Sequence, residues 1–473
     1  MDPTQKQLLC DDALVADKRG FELMLNPALR AETPALQPEM PWEQASVSWP
    51  SVVCNEGGEH QMWYRADPGD GNGSLLCYAT SRDGISWERP ELGVVEFQGN
   101  KDNNIVARHL QGGVFVDLHD APERRYKFIG EGQTEWGITS YYGGGARFRY
   151  FKEDLPTWNY LGVVGAHSPD GIRWTEYDEP VMPWYTDTQN VAFWDDRLQR
   201  YVAYVRWNEH LRVEDGKQVG SFDYRAIGRA EAEDFSAFPA PVKVHEPDFS
   251  RVEEEDQAGG GLYNTGAMKY PYAENVYLIF PSAYHHTSDT LDVHLATSRD
   301  GVDFTRWYEP FARLGTAGRF DARGLYVGPG MIAAGDEVYS YYAGVPRSHD
   351  DVETQAPGAI GRLRMRRDGF VAQDAGAEEG RLTTVPFQMP GGRLEVDMDA
   401  SARGWLQVEI LDATGHALWG YARAESDRLM FNDLAQTASW RGEPDLSALR
   451  GRKVRLRFSG QFARLYGFRF SGT

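Results

Sequence analysis

Four carboxylates stand where this chain could assemble acid–base chemistry: Glu131, Asp187, Glu209 and Asp321. Cleavage of a glycosidic bond needs two carboxyl groups across it, one protonated and one ionised. A retaining reaction places them roughly 5–5.5 Å apart and an inverting one roughly 6.5–9.5 Å. Asp187 and Asp321 are the first pair to consider. Glu131 or Glu209 suits the acid, its pKa lifted by apolar neighbours such as Trp136 or Trp207. Each also has a plainer reading. Asp187 can cap the loop through Thr188 and Gln189, Asp321 can bridge to Arg319 or Arg323, and Glu131 can simply open a loop at Gly132.

Residues able to hold a sugar surround these positions in the sequence. Trp49, Trp136, Tyr263 and Tyr326 offer stacking faces, while Asn104, Asn190 and Asn264 offer paired donors and acceptors. Arg65, Arg206 and Arg323 suit hydroxyl or phosphate contacts, as do His285 and His286. A metal at the histidine pair would want a third ligand, and neither His294 nor Asp289 stands at a diagnostic spacing. No metal and no cofactor are therefore expected. The arginines keep open a second chemistry, glycosyl transfer to phosphate beside a single carboxylic acid.

The elements that must position these groups repeat. Ala79-Thr-Ser-Arg-Asp-Gly-Ile-Ser-Trp87, Ala166-His-Ser-Pro-Asp-Gly-Ile-Arg-Trp174 and Ala296-Thr-Ser-Arg-Asp-Gly-Val-Asp-Phe304 share one pattern, with weaker copies around Asp234 and Asp368. The five aspartates are separated by 87, 64, 66 and 68 residues. Units of roughly 65 residues fit four-stranded blades around an axis. Asp-Gly supplies a side-chain acceptor and a φ > 0 residue for a tight turn, and the following aromatic packs between blades. Second strands read at 61–66, 125–130, 201–206, 276–281 and 338–343, each preceded by a smaller-residue strand lining the axis. Ligands usually bind at one mouth of such a channel, and the candidates above lie beside the strands that reach it. The extra length between 132 and 160 supplies an aromatic wall. After 379 the pattern changes to alternating strands of a β-sandwich. The expected fold is thus all-β: a five-bladed β-propeller over 1–378 and a β-sandwich over 379–473.

Composition narrows the partners. A net charge of −21 disfavours nucleic acid and anionic polymers, and aromatic residues at 13% suit a small neutral oligosaccharide. No run of 18 apolar residues suggests a membrane span, and no basic-then-apolar start suggests export, so a cytoplasmic location is expected. Three cysteines give no disulfide framework. The sandwich can buttress the propeller or mediate a homo-oligomer.

With these motifs the chain resembles the arabinanase, levansucrase and invertase superfamily of five-bladed glycoside hydrolases. It is most similar to bacterial proteins related to the family 32 N-terminal domain. The resemblance rests on Leu8-Leu-Cys-Asp-Asp12, Pro41-Trp-Glu43, Trp63-Tyr64, Gly93-Val-Val-Glu-Phe97, Asn103-Asn-Ile-Val106 and Asp187-Thr-Gln-Asn190. It implies a glycosidase, with furanosides such as fructosides and arabinosides favoured. One departure matters: where the characterised enzymes carry an Asp on the first inner strand, this chain has Trp49. The family's catalytic residues are not carried across. Phosphorolysis and a non-catalytic carbohydrate-binding propeller therefore stay beside hydrolysis.

Overall fold

The computed structural model of the chain describes residues 2–472 apart from 56, 71–72, 132, 135–136, 139–162, 185–187, 209–211, 215–216, 220–223, 249–260 and 352–355. Trp136, Asp187 and Glu209 lie outside the described residues, as does most of the expected wall between 132 and 160. Regular structure among the described residues is β, interrupted by single 3-10 turns such as Pro41–Glu43 and Pro122–Arg124. None of their helices is long and apolar enough to cross a membrane.

The strands from 29 to 366 pair as successive antiparallel meanders, here called blades. Blade 1 runs Ser46–Cys54, His60–Asp67, Leu75–Ser81 and Ile105–Arg108. Blade 2 runs Gln111–Val116, Tyr126–Glu131, Val164–Ser168 and Thr175–Glu176. Blade 3 runs Val191–Asp195, Arg200–Asn208, Arg225–Ala232 and Val242–His245. In blade 4 the two inner strands are broken into short pieces, followed by Thr290–Ser298 and Thr305–Ala312. Blade 5 runs from Gly324–Val327 through Glu337–Val345 to Ala359–Arg366, and its outermost strand is Leu29–Arg30 from the start of the chain. Second strands such as His60–Asp67 are buried along almost their whole length. A neighbouring blade covers each face, so large residues such as Met62, Trp63 and Tyr64 are buried in succession rather than alternately.

Side chains crossing from blade to blade close the ring. Trp63 Nε1 donates to Gly171 O, Tyr204 OH to Gly301 O and Tyr341 OH to Gly84 O, each at 2.6 Å. These join blade 1 to 2, 3 to 4 and 5 to 1. All three acceptors are the glycines of the repeated Ser-x-Asp-Gly motif. Within each motif the aspartate Oδ1 accepts two backbone N–H groups; for Asp83 these come from Ile85 and Ser86. The glycines have φ of +67°, +73° and +79°. A Cβ on Gly171 would stand 2.4 Å from the Trp63 ring. The two remaining seams use Tyr201 OH on Asp117 Oδ2 (2.7 Å) and Asn264 Nδ2 on Val327 O (2.7 Å).

The second compact unit is a sandwich made of residues 1–28, 270–276 and 365–473. One sheet follows the order Phe21–Leu25, Val371–Ala375, Ala463–Ser471, Arg393–Asp399, Asn432–Thr437. The other is built on Lys453–Gln461, which pairs with Gly380–Thr384, Phe387–Gln388 and Trp405–Asp412. Their facing apolar residues, among them Leu394, Val396, Leu456 and Phe458, form its core. The boundary expected at 378/379 therefore shifts. The first strands of the chain, Val15–Arg19 and Phe21–Leu25, belong to the sandwich, because their edges pair with Gly380–Thr384 and Val371–Ala375. Local patterning marks them as strands and does not encode their partner.

Replacing Gly171 by Ala combines a left-handed backbone with a collision against a buried ring. It should cost about 2–4 kcal/mol in urea unfolding, against about 1 kcal/mol for Gly335→Ala, where φ is +65° but nothing lies within reach. A second expectation concerns acid. Burial, then the charge of Arg306, holds His245 down at about 4. The unfolded imidazole binds its proton below about 6.5, so the unfolded state carries more protons between those values. The resulting stability is present above about pH 6.5 and is lost as pH falls toward 4. His245→Gln should flatten that part of a stability–pH curve by up to about 3 kcal/mol.

Candidate active site

A β-bulge at the start of the first inner strand sets the shape of the site. Ser48 pairs with Arg65 and Ser51 with Trp63, so three steps on one strand meet two on the other. Trp49 absorbs the extra residue with φ +51°, a left-handed conformation that a non-glycine residue preceding proline rarely takes. Gln189 holds the bulge in place. Its buried Nε2 lies 3.0 Å from both Trp49 O and Pro50 O, 3.1 Å from Ser51 Oγ and 3.4 Å from Gly112 O. One amide from blade 3 thereby fastens the inner strands of blades 1 and 2.

Beside the bulge lies a cavity of about 810 Å³, with walls drawn from all five blades. Its size falls within the roughly 300–1,000 Å³ of small-molecule sites. Four arginines line it: Arg65, Arg206, Arg225 and Arg347. Asp67 is the one carboxylate among the described lining residues, and both its oxygens are engaged, Oδ1 by Gly69 N–H and Oδ2 by Arg65 at 3.2 Å. Arg65 also donates Nε to Gln111 Oε1 at 2.7 Å and stands 5.9 Å from the Trp49 ring centre. Arg206 donates to Tyr263 O, and the Arg206 and Arg225 guanidinium carbons lie 4.6 and 4.4 Å from the Tyr263 ring centre. The cations are thus oriented by aromatic faces and backbone acceptors.

Tyr263 is also the first of a line of three titratable rings in the cavity wall. Tyr263 OH is 2.6 Å from His349 Nε2, and Tyr326 OH is 3.2 Å from His349 Nδ1. Burial pushes His349 below the usual histidine range, so its ring is neutral near pH 7 and has one N–H to share between two hydroxyls. The turn after Ser282–His285 fixes the histidine: His349 N–H donates to Asp289 O and Asp350 N–H to Asp289 Oδ2. Such a line can pass a proton between the two tyrosine oxygens.

The structure brings together five residues singled out from sequence: Trp49, Arg65, Arg206, Tyr263 and Tyr326. Others have different employment. Asp321 is fully buried in a structural ion pair, its Oδ2 2.5 Å from Arg30 and 2.7 Å from Tyr342 OH; the partner is neither Arg319 nor Arg323. This bridge pins the Leu29–Arg30 strand, and Asp321 is not among the described residues that line the cavity. Asn104 accepts from Trp42 Nε1 and donates to Tyr64 OH and Tyr78 O, which places it in the blade 1 core. Asn264 is spent on the blade 4–5 seam. Asn190 is buried, with its backbone carbonyl against Gly113, and is not among the described lining residues. Arg323 and His286 are exposed outside the cavity lining, and His285 turns to Asp292 at 2.9 Å. Glu131 ends its strand opposite Gln111.

Asp67, Arg225, Arg347 and His349 were missed. A signal exists for Arg347 and His349: they follow the second strand of blade 5, Glu337–Val345, just as Glu131, Glu209 and His285 follow the second-strand runs read at 125–130, 201–206 and 276–281. Arg225 opens the third strand of blade 3, and nothing local distinguishes it from Arg229.

No protein-family model matches the sequence. Two curated relatives, uncharacterized proteins from two strains of Mycobacterium tuberculosis, are 28% identical over 168 residues, 34% of this chain and 46% of theirs. The chain therefore spans about half the length of the curated relatives it matches. Among solved structures, a β-1,2-mannobiose phosphorylase from Listeria innocua aligns with a TM-score of 0.46 at 14% identity, over 72% of this chain and 96% of that one. The catalytic domain of a Coprinopsis cinerea α-L-arabinofuranosidase aligns at 0.43 and 13% identity, over 72% and 97%. An N-acetylgalactosamine deacetylase from F. plautii aligns at 0.43 and 15%, over 74% and 96%. None of these likenesses shows kinship with family 32 in particular.

The cavity should bind a small oxyanion. Inorganic phosphate at a hundredfold excess over its Kd should stabilise the protein by about 2.7 kcal/mol in thermal or urea unfolding. Arg225→Met or Arg347→Met should erase that gain while leaving the phosphate-free stability within about 1 kcal/mol.

Proposed function

We propose that the chain is a carbohydrate-active enzyme that transfers a glycosyl group to phosphate. The observation that carries this reading is the cavity lining: Arg65, Arg206, Arg225 and Arg347 around one space, with Asp67 the one carboxylate among the described lining residues. A hydrolase working through paired carboxylates would line its cleft with acids. Arginine clusters are the side chains that hold phosphate through directed pairs of hydrogen bonds. The chain is acidic as a whole, yet the described lining of this cavity is rich in arginine, which suits phosphate beside a neutral sugar.

In this reading the sugar stacks on Trp49 and phosphate lies among the guanidinium groups. The carbon–oxygen bond to the leaving alcohol breaks, a phosphate oxygen bonds the same carbon, and the departing oxygen takes one proton. Tyr263, backed by His349 and Tyr326, is the group assigned to deliver it. The proton shed by hydrogen phosphate as its oxygen bonds carbon then restores the line. Asp67 orients Arg65 and is not assigned the acid role, because both its oxygens already accept hydrogen bonds.

Hydrolysis remains the second reading, favoured by the register that sets Glu131 opposite Gln111, a cavity-lining residue. The test is sugar release from fructosides, arabinosides, mannosides and galactosides, each with and without inorganic phosphate. Release that requires phosphate, yields a sugar phosphate and falls at least about 100-fold in Tyr263→Phe supports phosphorolysis. Release unaffected by phosphate and abolished in Glu131→Gln moves the protein to the hydrolases. Phosphate binding without release from any glycoside would reduce the cavity to a binding site.

A further inference from the structure

The hairpin that carries the turn at Asp289 holds three metal-type ligands on one face. Ser282–His285 and Thr290–Ser298 pair with His285 opposite Thr290 and Ala283 opposite Asp292. Residues directly opposite share a face, and a strand repeats that face every second residue. His285, Asp292 and His294 therefore project to the same side. Ala283, the residue facing Asp292, is small and leaves room between them. His285 Nε2 is 2.9 Å and His294 Nε2 3.4 Å from Asp292 Oδ1, and one ligand atom from each of the three lies within 4.8 Å of the others. The edge of a tetrahedron around zinc with Zn–N near 2.05 Å is roughly 3.4 Å, so two of the three edges are already close to it. Asp292 and His294 are mostly buried, while His285 is 37% exposed and leaves a way in from solvent.

From this geometry we infer that His285, Asp292 and His294 form a binding site for a divalent ion of the zinc class. Two imidazoles and one carboxylate suit zinc, cobalt or nickel rather than magnesium or calcium, which take oxygen ligands. Three protein ligands leave a fourth position for water. Binding would displace the proton shared between His285 and Asp292 into solvent. Arg306 on the adjoining strand acts electrostatically on His294 and opposes the ion, so it sets an upper limit on affinity. The site's consequence is positional. Tyr284, beside His285, lies 5.5 Å from Tyr263 and 5.3 Å from His349 between ring centres, and the same turn hydrogen-bonds the His349 backbone. An ion at the base of this hairpin would stiffen the support of the cavity wall.

Sequence spacing hides the site because the eight residues between His285 and His294 match no metal motif. Only the hairpin register aligns them.

The test uses the full chain, stripped with chelator and titrated with Co(II) followed by its visible d–d absorption, then with Zn(II) in competition. One equivalent of Co(II) with a tetrahedral-type spectrum, displaced by Zn(II), is expected. His285→Ala and Asp292→Asn should each weaken binding at least about 100-fold, more than loss of an outer-shell group. Arg306→Gln should tighten it, and His416→Ala, an exposed histidine elsewhere, should change nothing. Because His285 is partly exposed, its variant should keep the wild-type unfolding midpoint even if a His294 variant does not fold. No stoichiometric Co(II) binding, or binding that survives His285→Ala, overturns the inference.

Discussion

A hydrogen bond from a buried aromatic ring to a glycine carbonyl holds this propeller closed. Trp63, Tyr204 and Tyr341 each send their one donor into the Asp-Gly turn of the next blade. The arrangement works because the turn glycine has no side chain and can adopt a left-handed backbone, so the ring can sit on it. The motif aspartate ties down the turn's own N–H groups and frees the carbonyl to face outward. A buried Tyr or Trp donor without an acceptor would cost about 1–3 kcal/mol, so each ring satisfies its own polar atom while covering apolar surface. The same motif appears at three seams, and the ring can close only if the blades keep the angle that these bonds require.

Closure brings the inner strands together, and the site follows from how they meet. Gln189 occupies the position where three blades converge, and its amide fixes a bulge in the first inner strand. The bulge turns Trp49 toward the cavity. Backbone strain at Trp49 is tolerated because Gln189 accounts for the carbonyls that the irregular strand leaves without ladder partners. In a protein with a net charge of −21, the four arginines among the described lining residues gather positive charge in one cavity, where it favours a small anion.

Much of the architecture could be read from the residues. The Asp-Gly repeats marked the blades because their turn chemistry depends on neighbours within four residues. The second strands were found because short runs rich in aromatic and aliphatic residues recur at the blade spacing. The fate of the outer strands was not legible: Leu29–Arg30 completes blade 5, and Phe21–Leu25 joins the sandwich, through edge pairings hundreds of residues apart. In the site, the aromatic and cationic candidates Trp49, Arg65, Arg206, Tyr263 and Tyr326 were found among the residues lining the cavity, the two arginines near the ends of second strands. The asparagines were not, since an amide that satisfies a core and one that holds a sugar have the same sequence signature.

The sequence alone determined the repeat, its turn, the all-β class and the two kinds of β architecture, because these rest on local spacing and on which faces are apolar. Tertiary structure alone decided which polar residues are free to face the cavity. Asp321 became an anchor for the first propeller strand, Gln189 became a fastener of the inner strands, and Arg225 came to share a cavity with Arg347 and His349. The physical reason is that a buried charge or amide is defined by its partner. Those partners lie up to 291 residues away, a distance at which no local pattern carries information.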